Sequence, residues 1–157
     1  MNRPLQALSL ALCVLASPAF AAESAPISGA AAVGATPFAG DGMLKAFHGQ
    51  EGVGRIVDAF LARNTSDPRI ADIFAAQDLV AFRARLKEHF CYILGGGCEY
   101  TGKDMTTAHK DMGIQTANFN AVVENLQWAM DKEGVSFGAQ NRFLAKLAPL
   151  KRQVVTR

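Results

Sequence analysis

Histidine is scarce in this chain, three in 157 residues, and so is cysteine, also three. With no Cys-x-x-Cys and no His-x-x-x-His spacing, a zinc centre would have to consume most of the available ligands, and none is expected. Charge of one sign is equally lacking: 16 basic residues face 14 acidic ones without a clustered basic face, which argues against a nucleic-acid partner. Long apolar runs are missing too. The longest, Leu5 to Leu15, falls short of the roughly 20 residues a spanning helix needs, so no stable membrane span is expected once the leader is removed. No alternating apolar and polar run asks to be a strand. Without a strand, neither a hydrolase nucleophile turn nor a phosphate-cradling loop has its usual support, and Gly95-Gly96-Gly97 reads as a helix stop.

What is present begins with a basic start at Arg3, the apolar stretch just described, and Ala19-Phe20-Ala21, the small-x-small form of a secretory cleavage site. Residues 1–21 are therefore read as a signal peptide and the mature chain as periplasmic or secreted. Removing them takes away Arg3 and no acid, leaving 15 basic residues against 14 acidic, a nearly neutral chain. Residues 22–41 are rich in Ala, Gly, Ser and Pro without an apolar period and are expected to form a flexible linker. The folded domain is placed at 42–157, a length suited to one core. Cys13 leaves with the signal, so Cys91 and Cys98 enter an oxidising compartment together. Whether they pair or remain two thiols is a matter of geometry.

Within the domain the apolar period is helical throughout. Val53, Ile56, Val57, Phe60 and Leu61 form one stripe, on a helix expected to end near Arg63. Asp67-Pro68 suits an N-cap and first helical position for a short helix toward Phe74, and Asp78 suits the cap of the next. Leu79, Phe82, Leu86, Phe90 and Ile93 make the second stripe. Phe119, Val122, Val123, Leu126 and Met130 make the third, up to Gly134. Leu144, Leu147, Leu150 and Val154 make the fourth, after a cap at Ser136. Such stripes could simply pack as a bundle. The polar, glycine-containing stretch 95–117 between the second and third carries one histidine opposite an apolar cleft, the arrangement that an axial imidazole and a heme slot require.

At this point the sequence resembles the group I truncated globins. The likeness rests on Leu94-Gly95-Gly96, Tyr100-Thr101-Gly102, Met105, His109-x-x-x-Gly113-Ile114 and Phe119. It extends outward to Phe60, Asp67-Pro68-Arg69, Phe74 and Leu147-Ala148-Pro149-Leu150. The resemblance implies an all-α, two-over-two truncated globin fold with an early, short or absent first helix. It also implies a heme with His109 as the iron ligand, on a short helix between the glycine turn and the Phe119 helix. The implied heme-contacting residues are Leu61, Phe74, Phe82, Arg83, Leu86, Phe90, Met105, Ile114, Phe119, Val122 and Leu126, with Arg83 near a heme propionate. Each apolar member would serve equally well as plain core.

Many members of the family carry a tyrosine late in the first long helix and a glutamine in the next, which donate to bound oxygen. Leu61 and Leu86 stand at those positions, with Phe82 one turn earlier. Bound oxygen carries partial negative charge, and a charge-assisted contact is worth about 1.5–3 kcal/mol, so tight oxygen storage is not expected. His89 falls near the same helical face. It could donate to a bound ligand, ligate the iron when gas is absent, or hydrogen-bond solvent at the pocket edge. The last is preferred because three residues from Leu86 correspond to about 300° of turn. His48 is given no role. The implied function is reversible binding of oxygen or another diatomic gas, nitric oxide or carbon monoxide, with an unidentified redox partner. The alternatives are a heme enzyme for nitric oxide removal or peroxide chemistry, or a heme-free helical interaction or sensor domain.

Overall fold

The four apolar stripes all fold as helix in the computed structural model, which describes residues 33–157. The expected signal peptide and the expected linker as far as residue 32 lie outside the described residues. In chain order the elements are α1 (Gly42–Ala46), α2 (Gly49–Ser66), α3 (Ala71–Ala75), α4 (Leu79–Ile93), α5 (Met105–Ala108), α6 (Thr116–Lys132) and α7 (Phe137–Leu147). A 3₁₀ turn at Ala148–Leu150 then leads into α8 (Lys151–Val154). No strand occurs among the described residues, and no helix there is long and apolar enough to cross a membrane. The all-α expectation holds among the described residues, and α1 is a short helix ahead of α2.

Local chemistry sets most of the boundaries. Asp78 caps α4 by accepting from the Val80 and Ala81 N–H groups at 3.0 and 3.1 Å. At the other end Gly96 N–H donates to Cys91 O and Gly95 N–H to Tyr92 O, with Gly95 at φ +81°, a left-handed stop that glycine adopts without strain. Two expectations shift. Helix α2 runs past Arg63 to Ser66, and the Thr65 and Ser66 hydroxyls donate back into its last turn. Asp67 does not cap α3: its carboxylate closes a turn on the Arg69 N–H at 3.0 Å, and the helix starts later, at Ala71. Ser136 occupies the N-cap position of α7 without a side-chain cap bond. Residues 134–138 do carry a Gly-x-Ser-x-Gly spacing, Gly134 to Gly138, but it runs from the end of α6 into the first turn of α7 and not over a strand-to-helix turn that would expose a nucleophile.

Helix α2 is the central element, packed against α3, α4 and α6. Its stripe residues Val53, Ile56, Val57, Phe60 and Leu61 are all buried in the main core. On one side of that core Phe143 of α7 stands edge-on to Phe47 at 5.1 Å and to Phe90 of α4 at 5.0 Å. On another, Ile70, Phe74 and Ala121 form a smaller cluster, and Phe82 and Val122 touch both. Between α2 and α6 the fully buried Asn125 donates to Asn64 at 2.9 Å and to Asp67 at 3.0 Å, and accepts from Arg63 at 2.8 Å. This network fixes the register of the two longest helices, because each buried amide needs its partner.

The packed body starts before Asp41. Val33 is fully buried, Phe38 N–H donates to Ile93 O at 2.9 Å, and Gly34 lies so close to Leu150 that a side chain there would collide. Residues 33–40 therefore lie on the domain where the sequence suggested continuing linker. Their few apolar and glycine residues are too sparse to show a period, yet they fit a groove left by α4 and the C-terminal turn.

Candidate functional site

The short α5 exists because its ends are tied down, since four residues make too little helix to hold themselves. Asp104 accepts from the Thr107 N–H at 2.9 Å, and Met105 is buried beneath. His109 is the C-cap residue. Its backbone N–H donates to Met105 O at 3.2 Å and its ring Nδ1–H to the same carbonyl at 2.8 Å. That contact fixes the tautomer, so Nε2 carries the lone pair, and Nε2 makes no hydrogen bond among the described residues. Beyond it, Asp111 at φ +63° and Gly113 at φ +64° turn the chain toward α6.

Across from α5 stands α4. Phe82 lies against Phe74 with ring centroids 5.9 Å apart, and Leu86 packs on the main core. Leu61, Phe90, Met105 and Leu126 are buried in that core too, and Val122 joins it to the smaller cluster. Two of the implied contact residues stand apart: Ile114, whose carbonyl receives the Thr156 and Arg157 N–H groups, and Phe119, whose ring lies 5.7 Å from the Lys151 ammonium. Arg83 is exposed, and its Nε pairs with Asp58 of α2 at 3.2 Å, with Lys87 nearby at 3.6 Å from the same oxygen. The distal residues Leu61, Phe82 and Leu86 present no hydrogen-bond donor.

His89 departs from its preferred reading. Its side chain is buried, not wet, because residues 33–38 cover that part of α4. The Val33 carbonyl accepts from Nε2 at 3.4 Å, and Tyr100 stacks at a tilt 5.3 Å away. Burial pushes its pKa down to about 4; the Val33 carbonyl opposes that shift and the His109 imidazole adds repulsion to it. His89 thus sits on α4 and His109 at the end of α5, the first bonded to Val33 O and the second to Met105 O.

Sequence reasoning left the Cys91–Cys98 pairing open and passed over the other connections around the glycine turn. Cys91 at the end of α4 is joined to Cys98 by a disulfide, with Cα atoms 5.8 Å apart. Gly96 is required beside it, since a Cβ there would lie 2.6 Å from the Cys91 sulfur. Glu88 accepts from Thr101 through both N–H (3.0 Å) and Oγ1–H (2.9 Å) and pairs with Arg85 at 2.6 Å. Partial burial works against the charge, but the Thr101 and Arg85 donors outweigh it and hold the carboxyl below its ordinary range. The Tyr100 hydroxyl donates to Lys103 O at 2.7 Å, folded over Gly102, where any side chain would strike the phenol ring. Glu88 and Val33 lie outside any apolar stripe, and only contact reveals them.

The donor set fits a heme: one oriented imidazole nitrogen, and apolar side chains, Phe74, Phe82, Met105 and Val122, that belong to the two core clusters. The bacterial-like globin family model matches residues 43–156. A group 1 truncated hemoglobin of Chlamydomonas moewusii is 32% identical over 99% of this chain and 93% of its own length. The group 1 truncated hemoglobin of Mycolicibacterium paratuberculosis is 28% identical over 69% of this chain and 79% of its own. Among solved structures, the ferric truncated hemoglobin of Tetrahymena pyriformis superposes with a TM-score of 0.70 at 24% identity, covering 73% of this chain and 98% of that one.

Proposed function

The chain belongs to the bacterial-like globin family, among the group 1 truncated hemoglobins, and on that premise we propose that it binds a diatomic gas reversibly at a heme held by His109. Heme supplies an iron with one position for an imidazole and one for the gas. The observation that carries the reading is the His109 ring, whose Nδ1–H is committed to Met105 O while Nε2 is left as the free donor nitrogen. Met105 O thereby fixes the ring rotation and the tautomer that leaves Nε2 free for a metal. Phe74, Phe82, Val122 and Leu126 would exclude water around the ring.

The apolar distal wall favours gas exchange over the enzymatic readings. Peroxide chemistry needs an acid or base on that side, and Leu61, Phe82 and Leu86 supply neither. The nearest candidate base, His89, is engaged with Val33. An exported setting is supported by the Cys91–Cys98 bond, since disulfides persist in oxidising compartments. The test is a hemin titration followed by absorption in the ferric and ferrous states. A stoichiometric Soret shift lost in His109→Ala and kept in His89→Ala is the expected result. No specific hemin uptake by any form would refute the proposal and return the chain to the heme-free interaction-domain reading.

A further inference from the structure

Helix α5 is only four residues long. Thr106, Thr107 and Ala108 are exposed, Met105 is buried in the core, and the helix packs against α8. On its upstream side the chain from Gly97 to Asp104 has no regular structure, yet it decides where α5 begins. Gln50 of α2 reaches the Cys98 sulfur at 3.6 Å, and three contacts run from that segment to one turn of α4: Cys98 to Cys91, Tyr100 to His89, and Thr101 to Glu88. The disulfide sits at the far end of the segment, close to the glycine stop. Thr101 sits much nearer to His109, and both of its donors converge on one Glu88 oxygen.

A plain surface ion pair with Arg85 would explain a glutamate at this place. It does not explain the geometry. Arg85 precedes Glu88 by three residues on the same helix and holds both carboxylate oxygens, whereas the Thr101 bonds tie α4 to the segment that leads into α5. They are charge-assisted, made between a carboxylate that is 28% exposed and a threonine at the surface.

We propose that Glu88 is a positioning residue for His109: by gripping Thr101 from the distal helix, in parallel with the Cys91–Cys98 bond, it sets the height and tilt at which α5 presents the imidazole. The inference rests on His109 being the iron ligand. Loss of the grip lets the Thr101–Asp104 segment lift, and Met105 O, which orients the His109 ring, moves with it.

The test uses the heme-loaded protein and the iron–histidine stretching band of the ferrous, gas-free form, together with the rate of hemin transfer to an apo-myoglobin acceptor. Glu88→Ala is expected to shift and broaden the band and to speed hemin loss about tenfold, in line with the loss of outer support around a metal ligand. Glu88→Gln keeps an acceptor oxygen for Thr101 and is expected to restore the band. Thr101→Val, which removes only the hydroxyl, should give a smaller shift in the same direction and serves if Glu88→Ala does not fold. In a Cys91→Ala/Cys98→Ala background the Glu88→Ala effect should grow, because parallel fasteners compensate for one another. A wild-type band in Glu88→Ala, even with a lower melting temperature, overturns the inference and makes Glu88 merely structural. A band that survives His109→Ala overturns the ligation reading itself and the inference with it.

Discussion

Lowering the pH should unfold the heme-free protein through His89, by an amount that follows from its surroundings. An imidazole free in the unfolded chain titrates near 6.5, whereas burial holds His89 at about 4 in the folded protein. Above pH 6.5 the ring is neutral in both states and costs nothing. Between 6.5 and about 4 the unfolded chain takes up a proton that the folded one refuses, so stability falls with pH by about 1.4 kcal/mol per unit. The full loss across that window is about 3 kcal/mol, a large share of the 5–15 kcal/mol typical of a domain. Besides the Val33 carbonyl, which accepts its proton, the ring faces the tilted Tyr100 side chain and the repelling His109 imidazole, with no carboxylate among them to rescue the charged form. Urea unfolding of the heme-free chain, followed by far-ultraviolet circular dichroism from pH 8 to 4, reads the slope without interference from iron. In His89→Phe, which keeps an aromatic ring but cannot titrate, one proton's worth of slope should disappear. Parallel curves for the two proteins across pH 6.5 to 4 would refute the account.

Three further outcomes are expected. Phe143→Ala removes a fully buried ring that stands edge-on to Phe47 and Phe90, and should cost about 3–5 kcal/mol in denaturant unfolding. Asn125→Ala leaves the fully buried Asn64 carbonyl without its donor, whereas Asp67 keeps Arg69 and Arg63 reaches solvent; with about 1–3 kcal/mol for a buried group left unsatisfied, thermal melting should shift more than for any exposed residue of α6. Leu86→Gln places a donor on the distal wall, and a contact of about 1.5–3 kcal/mol should slow oxygen dissociation at least about tenfold in stopped-flow measurements of the heme-loaded protein.

Much of this was legible without coordinates. The apolar periods fixed the long helices, Asp78 and the glycine run fixed the ends of α4, and the residue order around His109 pointed to the family. These are short-range features, set by 3.6-residue periodicity, by capping and by left-handed turns, all of which are written along the chain. The boundaries that moved were those set by competing side-chain hydrogen bonds: Thr65 and Ser66 lengthening α2, and Asp67 choosing a turn over a cap.

Tertiary structure alone decided the rest. That His89 would be buried depended on residues 33–38 folding back over α4, and no local pattern announces a groove 50 residues away. That Arg83 would turn to Asp58 depended on the crossing of α2 and α4. The pairing of Cys91 with Cys98 depended on a glycine turn tight enough to bring their Cα atoms to 5.8 Å. The sequence determined which imidazole stands on a short helix opposite an apolar wall. Only packing determined how that helix is held, because a four-residue helix has no position of its own and takes it from whatever grips its ends.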